Sequence, residues 1–330
     1  MSRLELSVAC GLNDRTMALL ARWIDVQGLD LNCMAIDPVE LFDRQLRLNQ
    51  FDVAECSLSA YISLIDRGDD RFVGLPVFTS RVFRHSYVFT NSDRGIDDPG
   101  QLRGGTIGVP EYHMTAALFI RGLLSDDYGV TAPGVSWVQG GQAKPGRKER
   151  IELQLPPSIR VQHVVDRTLD DMLVSGELDA LITATAPPSF RAGDPRVRRL
   201  FADPESASTD WFSRTEIFPI MHLMTVRREL VERHPWIIQS LYDAFSRSRD
   251  MAVDRLRADG VAAVALPFVD LQYERALAMF PQGLWPYGVE PNRRTLEAAA
   301  RYSHEQGLAR RVVSLAELFP VEVREAAWHD

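Results

Sequence analysis

Along the first quarter of the chain, short runs with strand-like alternation are followed each time by apolar residues at helical spacing. Residues 4–10 predict a strand, and Gly11, Asn13 and Asp14 follow as a loop able to cap a helix over about 17–27. A second strand is expected at 29–34, a helix opened by Asp37 and Pro38 runs to about 48, and FDVAEC (51–56) reads as a third strand. That strand ends in Ser57, Leu58 and Ser59 before an apolar helix to 65. A βαβαβα order implies a parallel or mixed sheet with helices on both faces and ligands at the carboxyl ends of strands, where Asn13, Ser57 and Ser59 fall.

The pattern then changes. VGLPVF (73–78) and SRVFRHSYVFT (80–90) are strand-like but carry Arg81, Arg84 and His85 among apolar residues, which suits a strand crossing between two units. After a turn-rich stretch at 91–101, a second βα series is expected, with strands at 106–109, 135–138, 160–163 and 178–184 and a helix at 168–176. GGQAKPGRKER (140–150) reads as a mobile loop or lid, or as an idle surface excursion. A strand near 197–201, an irregular stretch and the strand-like IFPIMHLMTV (217–226), with His222 inside it, make the return crossing. From 227 onward the spacing is helical, through 227–234 and 235–260 to a helix capped by Asn292. The expected architecture is a hinged α/β clamshell: one lobe from 1–86 plus 222–330, including the helical tail, another from 90–216, and a hinge near 80–90 and 217–226.

With 330 residues, 45% of them hydrophobic, the chain can fill two cores. A formal charge of −8 argues against nucleic acid as the main partner, and the densest basic run, RVRRL (196–200), reads as a solvated surface turn. No run approaches a membrane span. Cys10, Cys33 and Cys56 fall in or beside predicted strands, as reduced core residues do, and Glu5 interrupts what would be a signal peptide's apolar segment. A cytoplasmic location is the expectation.

The stretch on which the rest turns is GGTIGVPEYHMTAALFIRG (104–122), read as a buried strand at 106–109, a stop at Pro110 and a helix whose first turn carries Glu111, Tyr112, His113 and Thr115. Free N–H groups at such a corner suit a carboxylate or phosphate. Of the seven histidines, His163, His234, His304 and His329 read as structural or solvated, whereas His85, His113 and His222 lie on the two crossings and the central helix start, which a clamshell brings together. Strand alternation places Arg81 and His85 on one face, toward the cleft, with Arg84 on the other; the reverse assignment stands as the alternative. Ser57, Ser59, Thr183 and Thr185 are hydroxyls at strand ends on facing lobes, and Glu55 is either a partner for a histidine or an acid paired with an arginine.

The words FDVAECSLSAYISL, PVFTSRVFRHS, GVPEYHMTAALFIRG, GELDALI, IFPIMH, HPW, WPYG, EPNRRTLE and RYSHEQGLA span nearly the whole chain. In them the sequence resembles the 4,5-dihydroxyphthalate decarboxylases, a family with the fold of type II periplasmic binding proteins. The resemblance implies a carboxy-lyase of phthalate degradation that converts 4,5-dihydroxyphthalate to 3,4-dihydroxybenzoate and carbon dioxide. TATAPP (183–188) and GGQAKPG (140–146) depart from the family pattern.

Such a reaction needs a proton donor near the ring face, cations or N–H groups for the carboxylates, and an acceptor at the hydroxyls. His113, His85 and His222 are the candidate catalytic residues, with His113 or His85 favoured as donor. Ser57, Ser59, Arg81, Glu111, Tyr112, Thr115, Thr183 and Thr185 are the candidate substrate contacts. No cofactor or metal is expected. The alternatives are a solute-binding protein for an aromatic dicarboxylate, disfavoured by the N-terminus, and a metal-assisted lyase using His85, Glu111 and His113. The expected partner is a small aromatic dicarboxylate, with neither nucleic acid nor membrane, and a homo-oligomer is compatible with the chain.

Overall fold

The computed structural model describes residues 3–257, 264–281 and 283–324. Within them the strands are β1 (Leu4–Cys10), β2 (Leu29–Ala35), β3 (Val53–Ser57), β4 (Phe72–Arg81), β5 (Val88–Asn91), β6 (Thr106–Val109), β7 (Ser136–Gly140), β8 (Arg160–Val164), β9 (Ala180–Ile182), β10 (Val197–Arg199) and β11 (Ile220–Arg227). They form two mixed sheets, one ordered β2-β1-β3-β11-β4 and the other β10-β5-β9-β6-β7-β8. Helices pack on both, giving the two-lobed α/β clamshell. β4 is buried at every position but one, as a strand covered on both faces must be, and its run of Val, Leu and Phe supplies the apolar surface.

The chain leaves the first sheet through β4 and returns through β11, and these two strands pair antiparallel. Just past them Val82 N–H donates to the Pro219 carbonyl at 3.2 Å. The strand expected over 80–90 is broken: β4 stops at Arg81, residues 82–84 are irregular, and His85–Tyr87 is a 3-10 turn. Strand alternation therefore does not carry from Arg81 to His85.

Several boundaries differ from the pattern's reading. The first helix is Asp14–Leu20, set by an Asn13 capping box with Thr16. Pro204–Thr215, within the stretch read as irregular, is a helix capped by Asp203. Asn292 precedes the helix Arg293–Glu305 but its amide donates to the Pro286 and Gly288 carbonyls, so its side chain does not cap. RVRRL is the edge strand β10 itself, with Arg196 and Arg198 paired to Asp194 and Asp97. The helix read over 235–260 is Ile237–Arg257, and its last three positions, like His329, lie outside the described residues. Cys10 and Cys56 are buried and Cys33 partly so, all free. Among the described residues no helix is long and apolar enough to cross a membrane.

The C-terminal helix Arg293–Glu305 lies against both Leu58–Asp66 and Thr115–Tyr128. It can approach the second of these because Gly122 has no side chain: a Cβ there would stand 2.4 Å from the Tyr302 ring. Just beyond it, Gln306 accepts from Arg121 Nε at 2.6 Å, donates to the Leu118 carbonyl at 2.9 Å, and its own carbonyl accepts from the Tyr112 hydroxyl at 3.1 Å. The tail expected to return to the first lobe thus fastens to the second as well.

Candidate functional site

β3 and β6 end facing each other, and the helices Leu58–Asp66 and Thr115–Tyr128 begin at nearly the same place. Ser57 Oγ and Thr115 Oγ1 lie 2.8 Å apart, and Ser59 N–H donates to Thr115 Oγ1 at 3.2 Å. Thr115 is the first residue of its helix, and Glu111, Tyr112 and His113 form the turn before it rather than its first turn. The N–H groups of both first helical turns have no intrahelical partner, and that of Ser59 is taken up by Thr115. A cavity of about 330 Å³ opens there.

One wall comes from the returning crossing. On β11, His222 stands opposite Ser57 of β3, so Glu55, two residues earlier on β3, shares its face. His222 Nδ1 donates to Glu55 Oε1 at 2.6 Å. Glu55 is 2% exposed and also accepts from Gly11 N–H at 2.7 Å. Burial works against its ionisation, yet the hydrogen bond and charge of His222, with the Gly11 N–H, hold it below the ordinary carboxylate range. The carboxylate fixes the imidazole as the Nδ1–H form, and Nε2 is left for the cavity, which His222 lines. The Phe42 ring meets it edge-on at 4.8 Å.

A cation supplies the next element. Arg84 lines the cavity, is 5% exposed, and among the described residues donates only to the Met221 sulfur at 3.1 Å and the Ala184 carbonyl at 3.4 Å. No carboxylate among the described residues pairs with it, and burial lowers it to about 10, so it stays charged at neutral pH. Arg147 and Arg150, from the loop that the sequence marks as a lid or an excursion, reach the opposite side and share the buried Glu111 at 2.5 Å and 3.0 Å. Two guanidiniums thus share one carboxylate at this side of the cavity. Thr183 and Thr185 border the same space, with Thr183 Oγ1 donating to Gln142 and Gln142 Nε2 donating to the Thr185 carbonyl. Met114, Ala116, Ile151 and Met221 make the rest largely apolar.

Of the residues expected from sequence, Ser57, Glu111, His113, Thr115, Thr183, Thr185 and His222 line this cavity, and Ser59, Arg81, His85 and Tyr112 do not. Ser59 is spent on the His113 carbonyl. Arg81 turns away to the Pro286 and Phe218 carbonyls, so Arg84 is the arginine that faces the cleft, the reverse of the favoured assignment. His85 is buried against Phe201 and Trp211, with Nδ1 bonded to Ser208 Oγ at 3.0 Å, and burial pulls it down to about 4. It is therefore separated from Glu111 and His113, and among the described residues no group of three His, Cys, Asp or Glu side chains could hold a metal ion. Tyr112 is fully buried beneath the Arg121 guanidinium, 3.9 Å from its ring.

His113 borders the cavity, but its ring N–H is committed inward. Ser63 Oγ gives its proton to the Leu308 carbonyl at 2.9 Å, so His113 Nε2 must donate to Ser63 at 2.7 Å. Nδ1 is then a bare, buried lone pair without a partner, and burial pushes the ring down to about 3, leaving it neutral. His163 and His304 bond to backbone carbonyls and, with His234, stand off the cavity. The anion seat expected at the turn is filled by the chain's own Glu149, which accepts from the N–H groups of Tyr112 and His113.

Burial and repulsion from Glu111 raise Glu149 to about 7, against its ordinary 4.5. A folded value above the unfolded one means that the acid's contribution to stability is complete below 4.5 and lost as pH rises through about 7. The melting temperature of the wild type is expected to fall relative to Glu149→Gln as pH is raised from about 5 to about 8. Parallel melting curves at all pH values would contradict it.

No protein-family model matches the chain. It is 39% identical over 320 residues to a 4,5-dihydroxyphthalate decarboxylase of Comamonas testosteroni, covering 97% of each chain. It is 41% identical over 213 residues to a 4,5-dihydroxyphthalate decarboxylase of Pseudomonas putida, covering 64% of this chain and 83% of that one. Among solved structures, the periplasmic aliphatic sulphonate binding protein of Escherichia coli superposes with a TM-score of 0.54 at 12% identity, covering 100% of this chain and 95% of that one. A Candida albicans protein with the generic periplasmic binding protein fold gives 0.50 at 11% identity, covering 100% and 98%. These two likenesses establish the fold, and the full-length identity to the Comamonas protein establishes more: the chain belongs to the 4,5-dihydroxyphthalate decarboxylase family.

Proposed function

We propose that the chain removes one carboxylate from 4,5-dihydroxyphthalate, giving 3,4-dihydroxybenzoate and carbon dioxide, in the cavity between the two sheets. The observation that carries this reading is the pairing, in one cavity, of a carboxylate-backed imidazole, His222 on Glu55, with a buried guanidinium, Arg84, that has no counter-ion among the described residues. Each ring carboxylate lies para to a hydroxyl, which pushes electrons to the carbon bearing it. In our reading a proton passes from His222 Nε2 to that carbon, the carbon–carboxylate bond breaks with its electron pair returned to the ring, and aromaticity is restored as carbon dioxide leaves. Glu55 stabilises the imidazolium before transfer, and solvent reprotonates the ring afterwards. Arg84 holds one carboxylate. The other meets Arg147 and Arg150, which Glu111 keeps in place. We assign the donor to His222 and not to His113, because the one N–H of His113 is committed to Ser63.

Purified protein, freed of metals with a chelator and mixed with 4,5-dihydroxyphthalate, is expected to form 3,4-dihydroxybenzoate and carbon dioxide in equal amounts. Saturable binding without product would favour a solute-binding role, and turnover only after a divalent ion is restored would bring a metal into the reaction.

A further inference from the structure

Arg81, turned away from the cavity just described, is a buried cation that the proposed reaction leaves unused. It ends β4, is 5% exposed, and its Nη1 and Nη2 donate to the Pro286 and Phe218 carbonyls at 3.3 Å and 3.0 Å, while Nε has no partner among the described residues. No carboxylate among the described residues pairs with it, and although burial lowers it to about 9, it is still charged at neutral pH. A desolvated charge of this kind is costly unless something satisfies it.

The guanidinium lies 4.5 Å over the Phe218 ring and borders a second cavity of about 690 Å³ that shares no lining residue with the first. Its walls are aromatic: Phe280 is 5.0 Å from Phe218 and 4.8 Å from Phe212, centroid to centroid. At the rim, Arg294 pairs with Glu216 and Arg293 with Glu290, so those charges cancel and Arg81 sets the sign of the site. The phenyl rings pack on one another, and the apolar wall they present beside one cation selects for one negative charge on a flat ring. A second carboxylate would lie against the phenyl faces unpaired, and a small inorganic anion would leave the rings uncovered.

We propose that this cavity is a second binding site, for a planar aromatic monocarboxylate, with the carboxylate on Arg81 and the ring against the wall formed by Phe212, Phe218 and Phe280. Because Arg81 pairs with Ile220 and Val82 N–H bonds to the Pro219 carbonyl, the occupant rests on both strands that join the sheets. The site stands independently of the reaction assigned to the other cavity.

Equilibrium dialysis of the full chain against benzoate tests this. Arg81→Met and Ala278→Trp, the latter filling the mouth from the exposed side of the helix Val269–Met279, should each bind one benzoate per chain fewer than the wild type. Should Arg81→Met fail to fold, Ala278→Trp decides alone, since it alters no buried charge. An Ala278→Trp chain that binds as much benzoate as the wild type overturns the proposal, as does a folded Arg81→Met that does so.

Discussion

Replacing His222 with Gln is expected to lower the turnover of 4,5-dihydroxyphthalate by about a hundredfold or more while leaving its affinity within about threefold, the behaviour of a lost general acid. The amide keeps a donor toward Glu55 but has no transferable proton for the ring carbon. Glu55→Gln should follow it in direction, because a neutral partner no longer supports an imidazolium and the Nδ1–H form is no longer enforced. His113→Gln and His85→Gln serve as controls. Their ring N–H groups are committed to Ser63 and Ser208, so their losses should appear in stability more than in the single-turnover rate. Ligand titration and single-turnover rates on the four variants separate the cases. A His222→Gln enzyme with wild-type turnover would remove the dyad from the reaction.

Arg84→Met should produce opposite signs in two measurements. Charge-assisted hydrogen bonds contribute about 1.5–3 kcal/mol each, so loss of the guanidinium is expected to weaken substrate binding by about ten- to a hundredfold. The empty protein, by contrast, should melt at a higher temperature, since an uncompensated buried cation gives way to an apolar chain of similar length. A structural arginine would show destabilisation with affinity intact. That outcome, read by calorimetry and substrate titration, would end the assignment of Arg84 as a carboxylate seat.

How much of this was legible in the sequence differs residue by residue. Ser57, Thr115 and Thr183 were readable because they close or open regular elements, and the ends of strands in such sheets are where cavities form. The strand β6 and the stop at Pro110 were equally plain. Glu55 and His222 could each be picked out, but their partnership spans 167 positions and depends on β11 lying beside β3 in one register, which no local pattern encodes. Alternation gives the wrong face for Arg84 because the backbone leaves the strand after Arg81. Arg147 and Arg150 sit in a polar, glycine-rich loop whose composition signals only exposure. Their signal was the pair of cations itself, which becomes visible once the buried Glu111 faces them.

The contacts around Gln306 also impose an order on how the protein can be made. The strands of the second sheet are complete at Arg199, yet the back of the helix Thr115–Tyr128 is closed only when Tyr302 and Gln306 arrive, roughly a hundred residues and about 5–20 s of ribosomal synthesis later. Until then Phe119 and the bare backbone of Gly122 lack the Tyr302 ring that covers them, and Arg121 Nε lacks its acceptor, while Nη2 can already donate to the Tyr112 carbonyl. The middle of the chain waits, unfinished and sticky, for the end of its own translation.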